Sequence, residues 1–226
     1  MAYLKNCAGV LLALKKNVAF PDDLVRRLNG KLLLDYSLDS LEKTLGKKSC
    51  WVVTDSEEIK VFCLRKKFSV IFDPSLSLDK PETFSLVHDH LKGMHGTRAV
   101  CLLWPYTPTL SSNDLRSAIE QHIRKNSIYT ISVSEEKRND FEPFGTDWKS
   151  ANNPEDSFVH KRVRGFLITS PKNLFRNPSG KRFTPFVVAD ETHEIKGFSD
   201  WWVCEGLLRR KRIVFRIIGN PQIGMG

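Results

Sequence analysis

The chain has 226 residues with 41% hydrophobic content, enough apolar material for the core of one large domain. Its formal charge of +9 at pH 7 is basic, but the densest clusters, residues 161–164 and 209–212, are more typical of solvated faces than of a nucleic-acid interface. No apolar run approaches the roughly 20 residues that cross a membrane, and the five cysteines form no CxxC pair. We therefore expect a cytoplasmic protein with reduced thiols, without a nucleic-acid or membrane partner.

Short runs rich in branched or aromatic residues alternate with helical patterns through residue 133. The predicted strands are Ala8–Leu14, Ser49–Thr54, Phe68–Phe72, Arg98–Trp104 and Ile128–Val133. The predicted helices between them are Leu33–Leu45, Ser56–Lys67, Thr83–Met94 and Ser111–Lys125. This alternation predicts an α/β fold, a doubly wound and mainly parallel sheet. Because ligands of such sheets bind at the carboxyl ends of the strands, loops 15–29, 54–58 and 104–110 are expected to share one cleft.

The pattern after residue 134 is less regular. Residues 135–160 are polar and predict a small exposed excursion from a single domain spanning residues 1–226. Strands are then predicted at Gly165–Thr169, Phe183–Val188 and Arg212–Ile218, with a helix at Ser199–Arg210 and a loose tail at 219–226. Of Trp201 and Trp202, one is expected to pack inside and the other at a subunit contact.

Residues 52–91 begin VVTDSEEI and resemble the acylneuraminate cytidylyltransferase group, enzymes that make CMP-activated acidic sugars. The family pattern there is a strand ending in TDSEEI, a helix, a short strand and a Pro-x-x-Leu-Ser-x-Asp loop, which Pro74, Leu76, Ser77 and Asp79 match. Later segments keep the family's order: VCLLWPYTPTL (100–110), TISVSEE (130–136), RGFLIT (164–169) and HEIKGFSDWWVCEGLL (193–208). The resemblance implies a Rossmann-like nucleotide-diphospho-sugar transferase fold. It also implies CTP and an acidic sugar as ligands, Mg²⁺ as cofactor, and a homodimer built partly on residues 135–160.

The chain matches the outline of the family's first loop but not its charged positions. Pro21, Gly30 and Lys31 match its proline and its closing Gly-Lys. Its Arg, Gly, Ser and Lys positions hold Leu14, Lys16, Asn17 and Val18, and a later Lys position holds Asp23. In the family the glycine lets the backbone approach the triphosphate, and the cations neutralise charge at the transferred phosphorus. The phosphate loop is therefore predicted to be lost or rebuilt.

The resemblance also assigns the candidate site residues. Lys15 and Lys16 are the catalytic candidates; the nucleotide-binding candidates are Leu14, Asn17, Pro21, Lys31 and Asp55; the substrate-binding candidates are Asp79, Trp104, Tyr106 and Lys196. Asp55 and Glu194 are the candidate Mg²⁺ ligands, whereas Lys196, at a metal-ligand position of the family, carries only donors.

Simpler interpretations of four of these residues stay open. Asp55, with Glu57 or Glu58, can cap the following helix, because carboxylates are favoured at helix N-termini. Asp79 can form a turn, and the lysines at 15 and 16 can be solvated charges.

Two classes of function remain. The first is a divergent cytidylyltransferase of weak or altered activity, which joins CTP to an acidic sugar and releases pyrophosphate. The second is a catalytically silent homologue that keeps the fold as an interaction or regulatory module. Loss of one charge-stabilising donor typically lowers a rate by a factor of about 10²–10³. Because several cationic positions are replaced, the sequence favours an altered or silent homologue.

Overall fold

The computed structural model describes residues 2–15, 22–78, 81–92, 96–137, 141–144, 147–150, 158–174 and 183–218. Its strands are β1 Cys7–Leu12, β2 Arg27–Leu28, β3 Lys31–Leu32, β4 Cys50–Thr54, β5 Ser69–Phe72, β6 Ala99–Leu103, β7 Tyr129–Lys137, β8 Phe141–Phe144, β9 Asp147–Ser150, β10 Phe158–Thr169 and β11 Phe183–Val187. Its helices are α1 Leu33–Leu45, α2 Glu57–Arg65, α3 Pro81–Lys92, α4 Ser112–Arg124 and α5 Phe198–Ile218.

Most of the described strands form one sheet, in the order β11-β7-β10-β6-β1-β4-β5. Strand β1 pairs in parallel with β4 and β6, β4 with β5, and β7 with β11. Strand β10 runs antiparallel to both of its neighbours, β6 and β7. The predicted α/β fold with a mainly parallel sheet is confirmed.

The centre of the sheet is strongly apolar. Every residue of β1 is buried, and so is every residue of β6. Helix α1 approaches β1 closely at Gly9, where an added Cβ would lie 2.7 Å from a side-chain carbon of Leu41. A larger residue at this position would require the buried side chain of Leu41 to move, so glycine allows the close packing of α1 on β1.

Serine side chains fix the starts of the helices that follow β4 and β6. Ser56 accepts a hydrogen bond from the N–H of Ile59 ahead of α2, and Ser111 accepts one from Asp114 ahead of α4. Such caps satisfy N–H groups that have no partner inside the helix. The chain therefore turns sharply after each strand, at the edge of the sheet where the strands end.

The predicted C-terminal strand is wrong, because Arg212–Ile218 continues helix α5. A short apolar run between arginines fits either a strand or a helix by periodicity alone. No proline interrupts residues 198–218, so nothing in the sequence ends the helix before this run. The predicted tail at 219–226 lies outside the described residues.

The polar segment at 135–160 contains more regular structure than predicted. Strand β7 extends to Lys137 and pairs there with Phe158 at the start of β10, while β8 and β9 form a separate hairpin. Polar residues continue these strands because an antiparallel ribbon can leave its side chains in water. Its predicted role as a dimer contact stays a prediction.

The five cysteines are free and buried, as expected for small core residues. Burial raises the pKa of Cys7 to about 11 and that of Cys63 to about 12. Among the residues described, no helix is both long enough and apolar enough to cross a membrane.

Candidate functional site

The loops that follow β1, β4 and β6 meet at one edge of the sheet. The backbone N–H of Lys15 donates to Oδ1 of Asp55 at 2.7 Å, which joins the first loop to the second. In the third loop, the pKa of Tyr106 is raised mainly by burial and further by the charges of Asp23 and Asp55. The described parts of loops 15–29, 54–58 and 104–110 therefore lie at the same edge of the sheet, and their predicted role as one ligand cleft stays a prediction.

Carboxylates surround the ammonium group of Lys15. Its Nζ lies 2.8 Å from Oε2 of Glu58 and 3.3 Å from Oδ1 of Asp22. The pKa of Lys15 is raised, chiefly by the hydrogen bond to Glu58; burial opposes this and Asp22 adds to it. We call Lys15, Asp22, Asp55 and Glu58 the acidic wall. Two of its carboxylates pair with the ammonium and the third accepts the backbone N–H of Lys15, so the acidic wall carries more negative than positive charge and repels an approaching phosphate.

Two positions that hold cations in the resembled family belong to the interior here. Leu14 is 1% exposed and is part of the apolar core, and Asp23 is 0% exposed. A charged group at position 14 would have to leave water without compensation, which is strongly unfavourable. The arginine position of the family pattern has thus become a core position.

Lys31 is held at the β2–β3 hairpin by its neighbours. Its Nζ lies 2.5 Å from Oδ2 of Asp39 and 4.5 Å from the centre of the Tyr36 ring. These contacts stabilise the hairpin, and the predicted nucleotide-binding role of Lys31 stays a prediction.

Four of the predicted site residues lie outside the described residues: Lys16, Asn17, Pro21 and Asp79. Their assigned roles stay predictions. The interpretation of Asp55 as the cap of α2 is wrong, because the side chain of Ser56 caps that helix and Oδ1 of Asp55 accepts from Lys15.

The two aromatic residues predicted to bind substrate are largely buried. Trp104 is 9% exposed and Tyr106 is 4% exposed, and both pack against the main core. The carbonyl of Tyr106 accepts the N–H of Ile195 at 2.8 Å. The loop after β6 therefore anchors the segment that carries Glu194 and Lys196.

A bulge in β10 lies beside this loop. The register between β10 and β7 shifts between Arg162 and Leu167. Within the shift, Oγ of Ser132 on β7 donates to the carbonyl of Val163 at 2.7 Å and accepts the N–H of Phe166 at 3.0 Å. One buried hydroxyl thus satisfies backbone groups that the irregular pairing would leave without partners.

Gly165, at the centre of the bulge, allows the close packing. Its N–H donates to Oγ of Ser132 at 3.2 Å, and its carbonyl accepts the N–H of Trp104 at 3.1 Å. An added Cβ would lie 3.1 Å from Oγ of Ser132, which is tighter than normal packing allows. The bulge fixes the backbone of the preceding residue, Arg164, against the loop after β6.

The side chain of Glu194 is only 8% exposed, and its carboxylate contacts two cations. Its Oε1 lies 3.1 Å from Nε of Arg164, and its Oε2 accepts the backbone N–H of Arg164 at 3.0 Å. Oε2 also lies 3.7 Å from Nζ of Lys196. We call Arg164, Glu194 and Lys196 the basic wall, because its two cations outnumber its carboxylate. The positive charge of Arg164 partly opposes the rise in the pKa of Tyr106.

Asp200 holds the turn that leads from Glu194 into α5. Its Oδ2 accepts the N–H groups of Lys196 and Gly197 at 2.9 and 3.0 Å, and its Oδ1 lies 3.0 Å from Nε2 of His193. Burial alone would raise the pKa of Asp200, but these contacts with Lys196, His193 and Gly197 lower it overall. Asp200 is therefore an anionic brace for the basic wall.

Sequence reasoning missed Arg164 and Asp200 as site residues. Arg164 could have been found from its place directly before the glycine of the RGFLIT strand, where a bulge exposes one side chain to the cleft. Asp200 could have been found as the acidic residue at the start of a helix.

The magnesium ion that the resemblance implies fits these residues poorly. Mg²⁺ takes oxygen ligands, whereas both oxygens of Glu194 are engaged by Arg164 and Lys196, which supply only donors. Across the described ranges, no group of three or more His, Cys, Asp or Glu side chains is arranged to hold a metal. The role of Asp55 as a metal ligand stays a prediction.

The two adjacent tryptophans differ as predicted in their burial. Trp201 is 7% exposed and packs in the core, whereas Trp202 is 69% exposed on the outer face of α5. A subunit contact at Trp202 stays a prediction.

Comparison with curated proteins gives a partial match in sequence. No protein-family model matches the chain. The chain is 27% identical over 118 residues to the N-acylneuraminate cytidylyltransferases of Streptococcus agalactiae serotypes V and III. This match covers 51% of the chain but only 29% of the length of those relatives.

Comparison with solved structures matches nearly the whole chain in fold. A CMP:2-keto-3-deoxy-manno-octonic acid synthetase complexed with CTP superposes with a TM-score of 0.69 at 11% identity, covering 91% of this chain and 99% of that one. The 4-diphosphocytidyl-2C-methyl-D-erythritol synthase of Anaerococcus prevotii gives 0.64 at 14% identity, covering 93% and 100%. The shared fold and the curated match together confirm the resemblance to cytidylyltransferases that the sequence indicated.

Proposed function

We propose that this chain is a cytidylyltransferase-like protein with weak activity in joining CTP to an acidic sugar of the acylneuraminate type. The partial match to N-acylneuraminate cytidylyltransferases supports the reaction class and the sugar. The fold shared with a synthetase complexed with CTP supports the nucleotide. The observation that carries the weakness of the activity is the pairing of the Lys15 ammonium with Glu58 and Asp22.

The reaction needs positive charge at the triphosphate. A hydroxyl of the sugar attacks the α-phosphorus in line and loses its proton, the bond to the β-phosphate oxygen breaks, and pyrophosphate leaves with the electron pair. Cations placed around the phosphates stabilise the charge that develops in this transition state. In the acidic wall the positive charge of Lys15 is already balanced by Glu58 and Asp22. The buried residue Leu14 stands where the resembled family has an arginine. The first loop thus supplies little of the stabilisation that fast transfer requires.

Pyrophosphate release tests the proposal. We would measure it with CTP and a panel of nonulosonic and octulosonic acids, and we expect turnover well below the 1–10³ s⁻¹ or so that is common for enzymes. Replacing Glu58→Gln removes one of the two carboxylates paired with the Lys15 ammonium, so we expect the rate to rise about tenfold, less than the factor of about 10²–10³ for a full donor because Asp22 still pairs with the ammonium. The matched control is Glu57→Gln, because Glu57 pairs instead with Lys60 at 3.2 Å. Native turnover near 1 s⁻¹ or above, or equal rates for the two variants, would contradict the proposal.

A silent homologue that acts as an interaction module is the second candidate. The observation that favours it is an apolar group on the outer face of α5, where Phe198, Trp202 and Val203 are 54%, 69% and 46% exposed. Exposed aromatic residues grouped on one helix are typical of protein interfaces. The implied homodimer can use this face or the 135–160 segment, and Trp202→Glu in analytical ultracentrifugation separates the two. If product formation never exceeds a protein-free blank, this candidate replaces the first.

A further inference from the structure

The basic wall contains a buried carboxylate that requires cations. Glu194 is more than nine-tenths buried at its side chain, and a carboxylate in that setting is stable only when it is paired and hydrogen-bonded. Arg164 supplies both a guanidinium and a backbone N–H, and Lys196 adds an ammonium. Both oxygens of the Glu194 carboxylate therefore have partners within the chain.

The basic wall keeps side-chain hydrogen-bond donors beyond those that Glu194 engages, because the neighbouring carboxylate of Asp200 is bonded to the backbone N–H groups of Lys196 and Gly197 and lies beside His193. The side chains of Arg164 and Lys196 are 49% and 56% exposed, so they remain accessible to a ligand. A guanidinium carries five N–H donors in a fixed fork and an ammonium carries three. The wall can therefore donate hydrogen bonds to a second anion while it holds the first.

The wall is attached to the loop that follows β6. Ile195, between Glu194 and Lys196, is bonded to the carbonyl of Tyr106, and Gly165, next to Arg164, is bonded to Trp104. Both bonds fix the wall to the loop after β6, at the edge of the sheet where ligands of such folds bind. Ser132 fixes the backbone next to Arg164, and Asp200 fixes the backbone of Lys196.

We propose that Arg164, Glu194 and Lys196 form a built-in anion site that replaces a divalent cation, so that this chain binds an anionic oxygen group without metal. Glu194 fixes the two cations in place, and they bind a phosphate or a carboxylate through charge-assisted hydrogen bonds. The inference shares its cleft with the proposed function but requires no turnover.

Calorimetric titration separates the possible ligands and the metal requirement. The probes are CTP, inorganic pyrophosphate and N-acetylneuraminate, each titrated in EDTA and again in Mg²⁺. We expect at least one probe to bind with an affinity that EDTA leaves unchanged within about twofold, because the cations belong to the protein. Binding of the phosphate probes alone identifies a phosphate site, and binding of N-acetylneuraminate alone identifies a carboxylate site. Binding that requires Mg²⁺, or no binding of any probe at about 1 mM, would overturn the proposal.

Variants test the residues. Arg164→Met is expected to weaken the bound probe about tenfold or more, and Arg164→Lys by less, because lysine keeps the charge but not the fork. The matched control is Arg209→Met, which breaks another Arg–Glu pair, with Glu205 at 2.9 Å on α5, and should leave binding unchanged. Because Arg164→Met leaves Glu194 buried without its main partner, Arg164→Met with Glu194→Gln serves as the second variant. It should fold and still bind poorly, and native affinity in that double variant would overturn the proposal.

Manganese provides a readout that involves neither sugar nor turnover. Mn²⁺ binding followed by electron paramagnetic resonance should be undetectable in the native protein at about 1 mM. Replacing Lys196→Asp together with Arg164→Asn removes both cations and adds a carboxylate, and should create measurable Mn²⁺ binding. Tight Mn²⁺ binding to the native protein, at a site lost in Glu194→Gln, would overturn the inference.

Discussion

The acidic wall and the basic wall act on Tyr106 in opposite directions: beyond the rise caused by burial, Asp55 of the acidic wall raises the pKa of Tyr106 and Arg164 of the basic wall lowers it. In the acidic wall a lysine sits among carboxylates, whereas in the basic wall a carboxylate sits between two cations. In the chain, Lys15 and Asp22 of the acidic wall lie next to Leu14 and Asp23, which stand at cation positions of the resembled family's first loop. The comparison teaches that a fold can be kept while its cationic side chains stand on different loops, here beside Glu194 rather than in the first loop. The predictions below test each wall in turn, beginning with the largest effect.

Leu14→Arg would restore the family residue behind the acidic wall and is expected to have the largest effect. Because Leu14 is 1% exposed, the guanidinium would be buried unpaired, and the free energy of unfolding should fall by about 3 kcal/mol or more. Urea denaturation measures the change. Leu64→Arg is the control, since Leu64 is 50% exposed and should tolerate the charge. A Leu14→Arg protein of native stability would show that the position can still hold a cation, and the contrast between the walls would fail.

Ser132→Ala removes a hydroxyl that supports the backbone beside the basic wall. It removes the acceptor for the buried N–H groups of Gly165 and Phe166, which should lower the free energy of unfolding by about 1–3 kcal/mol. Ser134→Ala is the matched control, because Ser134 makes one bond of 3.4 Å near the surface. Equal stability of the two variants would mean that the bulge does not depend on this hydroxyl.

Asp200→Asn tests the brace of the basic wall through its pH dependence. The variant loses charge-assisted bonds to Lys196 and Gly197, so near neutral pH we expect it to be less stable by about 1–2 kcal/mol. The pKa of Asp200 is lowered in the folded protein, so its contribution is present above the ordinary value of 3.8 and lost as the pH falls through the folded value. Denaturation of both proteins as a function of pH measures the difference. Asp190→Asn, at an exposed position, is the control, and a difference that persists at the acid end would contradict the assignment.

Lys15→Met should have the smallest effect. Its ion pairs are partly exposed, so the free energy of unfolding at neutral pH should change by no more than about 1 kcal/mol. Because the pKa of Lys15 is raised, its contribution is present below the ordinary value of 10.5 and lost as the pH rises through the folded value. Lys60→Met, which breaks the comparable pair with Glu57, is the control for denaturation measurements. A much larger loss for Lys15→Met would make the acidic wall a structural centre of the fold.

The sheet could be predicted from the sequence because its strands are short apolar runs bounded by turn residues. Ser56 and Ser111 begin their helices where a serine before an apolar pattern predicts it. The C-terminal helix was misjudged because apolar runs of a few residues carry no decisive period, as residues 212–218 show. The hydrophobic pattern therefore predicts helices and strands well only where capping or turn residues mark their ends.

The candidate site was harder to predict, because it depends on contacts between residues far apart in the chain. Family positions located Glu194 and Lys196, but only the structure shows that Arg164 of β10 lies beside Glu194. The same holds for Lys15 and Glu58, which are 43 residues apart and together change what the lysine can do. A residue's charge can be read from the sequence, whereas its partner is set by packing.

The late position of strand β10 in the chain affects how the protein is made. Strands β1, β4, β5 and β6 are complete by Leu103 and can pair as soon as they leave the ribosome, but the open side of β6 is covered only by β10, which ends at Thr169. At about 5–20 residues per second, synthesis of the missing segment takes on the order of several seconds. During that interval an apolar strand edge, Ala99–Leu103, is open to pairing with other chains. Aggregation during synthesis should therefore be sensitive to translation speed between β6 and β10.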